Sequence, residues 1–181
     1  MPMELTHYKL TVDQYMEMGA RGILPPDPKC ELIDGEILVM ASMGPAHRAL
    51  VARASRQLIT ELGGRAVVFV QSTLRIGTHS APEPDVAVLA PRADFYENKQ
   101  TEPADVLLII EVGDSSLGFD RGVKLDLYRR CAIAEYWIVN VVDRVIEVYR
   151  GNSPPQIVRR GETLAPVAFP DLALRADDLL G

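Results

Sequence analysis

Apolar residues recur at Leu50, Val51, Ala54, Leu58 and Leu62, close to the 3.6-residue helical period, and predict one long helix over 47–62. Gly63-Gly64 closes it as a C-cap should. Upstream, Thr11 and Gln14 have the capping-box spacing and open a short helix running to about Met18. Residues 30–40 read as a hairpin, because Glu31-Leu32-Ile33 and the apolar stretch after Glu36 flank Asp34-Gly35, a strong two-residue turn signal. After the long helix the pattern turns to strands. Residues 66–70 and 73–76 are rich in β-formers, and 85–89 is a short strand just after Pro84. Residues 105–112 are apolar apart from their ends, as in a strand covered on both faces. Residues 119–131 form an amphipathic helix, 135–141 and 145–149 are strands joined at Asp143-Arg144, and 165–181 is loop with a short helical turn.

Strand 105–112, helix 119–131 and strand 135–141 make a βαβ pattern. A right-handed crossover would set those two strands as parallel neighbours. The hairpin and the middle strands point to antiparallel pairing. The expected fold is therefore α/β, a mixed central β-sheet flanked by helices. The apolar strands within 135–149 are expected at an edge, free to pair across an interface between two copies.

The chain has 181 residues, which predicts a single domain over 1–181. A chain of this length buries about 70% of its unfolded surface, enough for a core without staples. Pro25-Pro26-Asp27-Pro28 reads as a rigid loop and Pro154-Pro155 as a turn, neither separating two domain-sized segments. Net charge is -6, which argues against coating nucleic acid by bulk charge and leaves room for a local basic rim. Two cysteines, Cys30 and Cys131, are too few for a disulfide scaffold or a cysteine zinc site and suggest a reducing compartment. The N-terminal stretch carries charge and no apolar h-region, so no signal peptide is read there. The longest apolar run, 106–110, is far short of a membrane span. A soluble, cytoplasmic protein is expected.

Candidate chemistry centres on two carboxylates. Asp85 opens a strand after Pro84, and Glu111 sits near the end of the most apolar strand. A carboxylate there is costly to desolvate unless it is paired, hydrogen-bonded or bound to a cation. If the fold joins the two, they and a backbone carbonyl such as that of Val112 offer hard oxygens suited to Mg²⁺ or Mn²⁺. The bland alternative is that Glu111 reaches solvent or pairs with a base. Asp120, Lys124 and Tyr128 fall at i, i+4 and i+8, one stripe of a helix that the βαβ connection lays against the sheet. A lysine there can hold a nucleophilic water or offset developing negative charge; alternatively Asp120 and Lys124 are an exposed ion pair worth about 0.3–0.5 kcal/mol. Glu31, beginning its strand, is either a further metal-site acid or a solvated strand end. His47 could orient phosphate or water, and Gln71, Ser72 and Arg75 could line a groove. The sequence has no G-x-S-x-G elbow, no phosphate-binding P-loop, no G-x-G-x-x-G, no H-E-x-x-H and no C-x-x-C. The extra lysine and an aromatic content of 6% favour phosphodiester chemistry over glycoside hydrolysis.

Taken in order, these pieces resemble the PD-(D/E)XK nuclease superfamily, and within it the restriction-endonuclease branch of the Uma-two type. The motifs are the hairpin Glu31 to Ile37, a helix opening at His47, Pro84 to Leu89, Glu111-Val112 followed by Ser115-Ser116, the spaced Asp120, Lys124 and Tyr128, and Glu135 to Val139. The likeness spans about residues 8–150. It implies a restriction-endonuclease-like fold with Asp85 and Glu111 as metal acids, and Glu31 matching the acid from the N-terminal region. The superfamily places a lysine two residues after the second acid, where this chain has Gly113; Lys124 is the expected substitute. Gly113-Asp114 also replaces the Ser-Pro common in the branch. The implied activity is Mg²⁺- or Mn²⁺-dependent cleavage of DNA, with Tyr128 and His47 supporting the site or contacting phosphate, and a homodimer to cut both strands. A noncatalytic binding module on the same fold is the other reading, motivated by the acidic charge and the displaced lysine.

Overall fold

A computed structural model describes residues 6–25 and 29–181. Residues 1–5, and Pro26, Asp27 and Pro28 of the proline loop, lie outside the described residues. The chain falls into two units, one of residues 1–42 and 73–83, the other of 43–72 and 84–181.

The first unit is built from local signals. Thr11 caps helix α1 (Val12–Ala20), its side chain accepting from the Gln14 amide while Gln14 returns a bond to the Thr11 backbone, the predicted capping box. Strands β1 (Cys30–Ile33) and β2 (Glu36–Val39) pair antiparallel around Asp34-Gly35, both at positive φ as a tight hairpin turn requires. Val12, Tyr15, Cys30, Leu32 and Ala81 form a small core, and the Tyr15 hydroxyl donates to the Cys30 carbonyl at 2.6 Å. Residues 73–76 are not a sheet strand. Ile76 makes only an isolated bridge to Ser80, and Ala81 bridges Leu32.

The second unit carries the mixed sheet. Helix α2 (Pro45–Leu62) is followed by β3 (Val67–Val70), β4 (Val86–Leu89) and β5 (Val106–Gly113). A helical stretch comes next: α3 (Leu117–Phe119), a π-helical turn Asp120–Lys124, and α4 (Leu125–Arg130). Then follow β6 (Glu135–Asn140), β7 (Val145–Arg150), β8 (Gln156–Val158), β9 (Thr163–Leu164), β10 (Leu174–Arg175) and α5 (Ala176–Leu180). Six strands lie in the order β3-β4-β5-β6-β7-β8, and β9 and β10 form a separate pair. Every neighbour in the six is antiparallel except β5 and β6, which run parallel as the βαβ pattern predicts.

Alternation sorts the side chains to two faces. Val86, Val88, Leu108, Ile110, Val112, Trp137, Val139, Ile146 and Val148 pack with the α2 residues Leu50, Val51, Ala54, Leu58 and Leu62 and with Leu179 and Leu180 of α5. The opposite face meets α4, where the Tyr128 and Tyr136 rings lie 5.1 Å apart and edge-on. Strands β6 and β7 are interior, contrary to the expectation of an edge at 135–149. The burial of all of β6 and of the middle of β7 reflects cover on both faces and a neighbour on each side, with β8 supplying the outer one. No helix among the described residues is long and apolar enough to cross a membrane.

Candidate active site

The second unit brings six of the predicted side chains together where β4 begins and β5 ends. Asp85 stands immediately before β4, whose first residue Val86 is in register with Ile110. Glu111 follows Ile110 and so faces α4, whereas Ile110 and Val112 face α2. The Asp85 amide donates to Glu111 Oε2 at 3.2 Å, and the Val112 amide donates to Asp85 Oδ2 at 2.9 Å. Val112 thus serves the site through its N–H, a contact the sequence reading did not include. His47, in the first turn of α2, lies with Nε2 3.0 Å from Asp85 Oδ1, and Gln71 Nε2 donates to the same oxygen at 3.2 Å. Lys124 Nζ donates to Glu111 Oε1 at 2.8 Å and the Tyr128 hydroxyl donates to that oxygen at 3.1 Å. Glu31 lies in the first unit, buried in β1 opposite Leu38.

The helix over 119–131 departs from the expected continuous α form, with one π-helical turn at Asp120–Lys124. Such turns often mark functional sites. Asp120 and Lys124 are both buried, so the exposed ion pair offered as the bland alternative is not present. Lys124 turns to Glu111, while Asp120 accepts from the Ser116 hydroxyl at 2.6 Å and its carbonyl accepts from the Tyr136 hydroxyl at 3.3 Å. Gln71 carries further strain. It has φ +48°, a left-handed conformation that costs a residue with a Cβ about 1–2 kcal/mol. That bend lets its backbone N–H donate to the Asp85 carbonyl at 3.1 Å while its amide reaches the carboxylate and Met43.

Gly113, two residues after Glu111, has no room for a side chain. A Cβ there would lie 2.7 Å from Leu117 Cδ2 and 3.0 Å from Asp120 Oδ2. The turn into α3 packs against the bare glycine, and Lys124 of the π-helical turn reaches Glu111. Gly113→Ala is expected to destabilise the fold by about 1–3 kcal/mol through overpacking, measured by chemical denaturation. Unchanged stability would mean that Leu117 yields freely.

The electrostatics are set by burial against pairing. Burial opposes a charged imidazole at His47, but the hydrogen bond and charge of Asp85 outweigh it and raise its pKa above the ordinary 6.5. Burial likewise pushes the Asp85 carboxyl up, and His47, the Val112 amide and Gln71 outweigh it and hold the pKa below its usual value. Asp120 goes the other way, raised by burial despite Ser116 and Lys124. Asp85, Glu111, Asp120 and Lys124 are all buried, with Lys124 bonded to Glu111 and His47 to Asp85. The hard oxygens of Asp85 and Glu111 suit a divalent cation. Among the described residues no three His, Cys, Asp or Glu side chains are grouped as a ready metal site. The pair Asp85 and Glu111 fits Mg²⁺, which keeps several waters and takes only one or two carboxylates.

Residues 12–177 match the family Uma2, whose description reads "Putative restriction endonuclease". A protein from Synechocystis sp. (strain PCC 6803), named "Uncharacterized protein sll1609", is 32% identical over 146 residues, which is 78% of this chain and 80% of that protein. A crystal structure described as a "putative nuclease belonging to DUF820", from Anabaena variabilis ATCC 29413, superposes with a TM-score of 0.71. It covers 94% of this chain and 97% of its own at 21% identity, a likeness of fold. The mixed sheet flanked by helices is accordingly restriction-endonuclease-like, and the chain belongs to the Uma2 family.

Proposed function

We propose that this protein is a metal-dependent endonuclease that hydrolyses phosphodiester bonds in DNA. The observation that carries this reading is the buried Lys124 ammonium 2.8 Å from Glu111, itself bonded to the Asp85 amide. A nuclease-like family supplies the context. Asp85 and Glu111 are the residues that would hold Mg²⁺ or Mn²⁺, with the Val112 carbonyl and solvent as further oxygens. When bound, such an ion polarises a phosphoryl oxygen and lowers the pKa of a coordinated water. Lys124 orients the attacking water and offsets negative charge gathering on the phosphoryl oxygens. Tyr128 fixes the Glu111 rotamer by sharing Oε1 with Lys124, and His47 and Gln71 fix Asp85. Cutting both strands of a duplex asks for two such sites, which a homodimer supplies. Two cysteines, too few for a disulfide scaffold, suit a reducing cytoplasm.

The test is titration of Mn²⁺ and Mg²⁺ into wild type and Glu111→Ala, followed by incubation with supercoiled plasmid and with single-stranded DNA. Metal binding and nicking in wild type, both lost in the variant, are expected. Nicking that survives Glu111→Ala rejects the site. A wild type that binds neither metal shifts the reading to a noncatalytic module on a nuclease fold.

A further inference from the structure

Helix α2 has two unlike faces. Leu50, Val51, Ala54, Leu58 and Leu62 enter the core, while Arg48, Arg53 and Arg56 are exposed outside that stripe. Glu61 is the one acidic residue of the helix, in a chain whose net charge is -6. Cationic surface is therefore concentrated where the overall composition disfavours it. Among the described residues the side chains of Arg48, Arg53 and Arg56 have no ion pair or hydrogen bond, unlike Arg65, Arg92 and Arg121, which each hold an aspartate or glutamate.

A cavity of about 280 Å³ adjoins this face, with Ala46, Ala49 and Leu50 of α2 on one side and Asn140 and Arg144 on the other. Two of its lining residues adjoin the candidate site along the chain or across the sheet. Ala46 precedes His47, which bonds Asp85, and Asn140 is in register with Gly113, two residues beyond Glu111. Arg53 and Arg144 both line it, and Arg144 also has no polar side-chain partner among the described residues. Arg144 holds φ +54° in the β6–β7 turn, a conformation that glycine or asparagine adopts at less cost. Arg144 is thus an exposed arginine at a strained turn position, sharing the cavity with Arg53.

We propose that the arginine face of α2, with Arg144, is a docking surface for the backbone phosphates of duplex DNA, leading a strand past the cavity to Asp85 and Glu111. The identity of the polyanion rests on the nuclease reading; the surface itself does not. Arg48 to Arg56 span eight residues, about 12 Å of helix axis, which matches three to four phosphates at about 3.4 Å of rise per strand. Guanidinium forks suit phosphate oxygens bidentately, and contacts of this kind fix register without reading sequence.

The experiment is fluorescence anisotropy of the full chain with a labelled 20-base-pair duplex in EDTA, so that binding is read without cleavage, over a range of salt. The variants are Arg53→Gln/Arg144→Gln and Arg48→Gln/Arg53→Gln/Arg56→Gln. The control is Arg92→Gln, at the far end of β4 from Asp85. Each lost arginine is expected to flatten the salt slope by roughly one unit, and the triple variant to bind at least tenfold more weakly with an unchanged melting temperature. A wild type that does not bind the duplex, variants that bind as wild type does, or an equal loss in Arg92→Gln would each overturn the surface. Arginine-dependent binding by a protein that never cleaves upholds the surface and rejects the nuclease reading. Cleavage that is insensitive to all four arginines does the reverse.

Discussion

Glu111→Ala is expected to unfold at a melting temperature on the order of 10 °C below wild type. The reason lies in what the substitution leaves behind. The Lys124 and Glu111 side chains are only 3% and 4% exposed, so the ammonium would stay buried without the carboxylate that faces it at 2.8 Å. Removing one partner of such a pair costs about 3–5 kcal/mol, and for a chain of this size each kcal/mol moves the midpoint by about 2–4 °C. The Tyr128 hydroxyl loses an acceptor as well, adding roughly 1 kcal/mol. Replacing both ions tells a different story. Glu111→Leu with Lys124→Met fills the same space with apolar atoms, and exchanges of this kind are often neutral or stabilising. The double variant should recover most of the lost stability while cleaving nothing. Thermal denaturation of the two single variants and the double closes the cycle. If the losses simply add, the two groups are not energetically coupled and the geometry of the site has been misread.

Much of this arrangement could be read from residue order. The Thr11/Gln14 spacing, the Asp34-Gly35 turn and the apolar stripe of α2 are local codes, and each formed where its residues stand. Asp85 and Glu111 are singled out because a carboxylate at the end of an apolar strand needs a partner; residue order does not show that the Asp85 amide donates directly to Glu111. The π-helical turn was hidden because Asp120, Lys124 and Tyr128 fit i, i+4 and i+8 of an ordinary helix. Its local signal is an α-helical one, and the contacts of Lys124 with Glu111 and of Asp120 with Tyr136 lie outside that signal. The left-handed Gln71 left no trace either, since glutamine carries none of the usual preference for that region. Strands β8, β9 and β10 have two or three residues each, too few for a period of two to show. Missing β8 is what made the 145–149 strand look like an edge.

The sharpest separation of chemistry from architecture comes from metal added to two neutralised sites. Lys124→Gln is expected to lower cleavage about 10²–10³-fold, the usual loss when one preorganised electrostatic group is removed. It also leaves Glu111 buried without its ammonium, so the folded state is weakened. A divalent cation held by Asp85 and Glu111 would replace that missing positive charge. Mn²⁺ or Mg²⁺ at a hundred times its dissociation constant for the variant should therefore restore about 2.7 kcal/mol without restoring the rate. Asp85→Asn behaves oppositely. Its cleavage falls by a similar or larger factor, but half of the hard-oxygen pair is gone, so added metal should return almost no stability. Melting curves with and without metal, beside plasmid nicking rates, read both quantities on the same samples. Metal that stabilises Asp85→Asn as strongly as wild type would remove Asp85 from the binding set. A Lys124→Gln variant that cleaves at the wild-type rate would reduce the lysine to a structural counter-ion, because the ion pair alone would then account for its burial against Glu111.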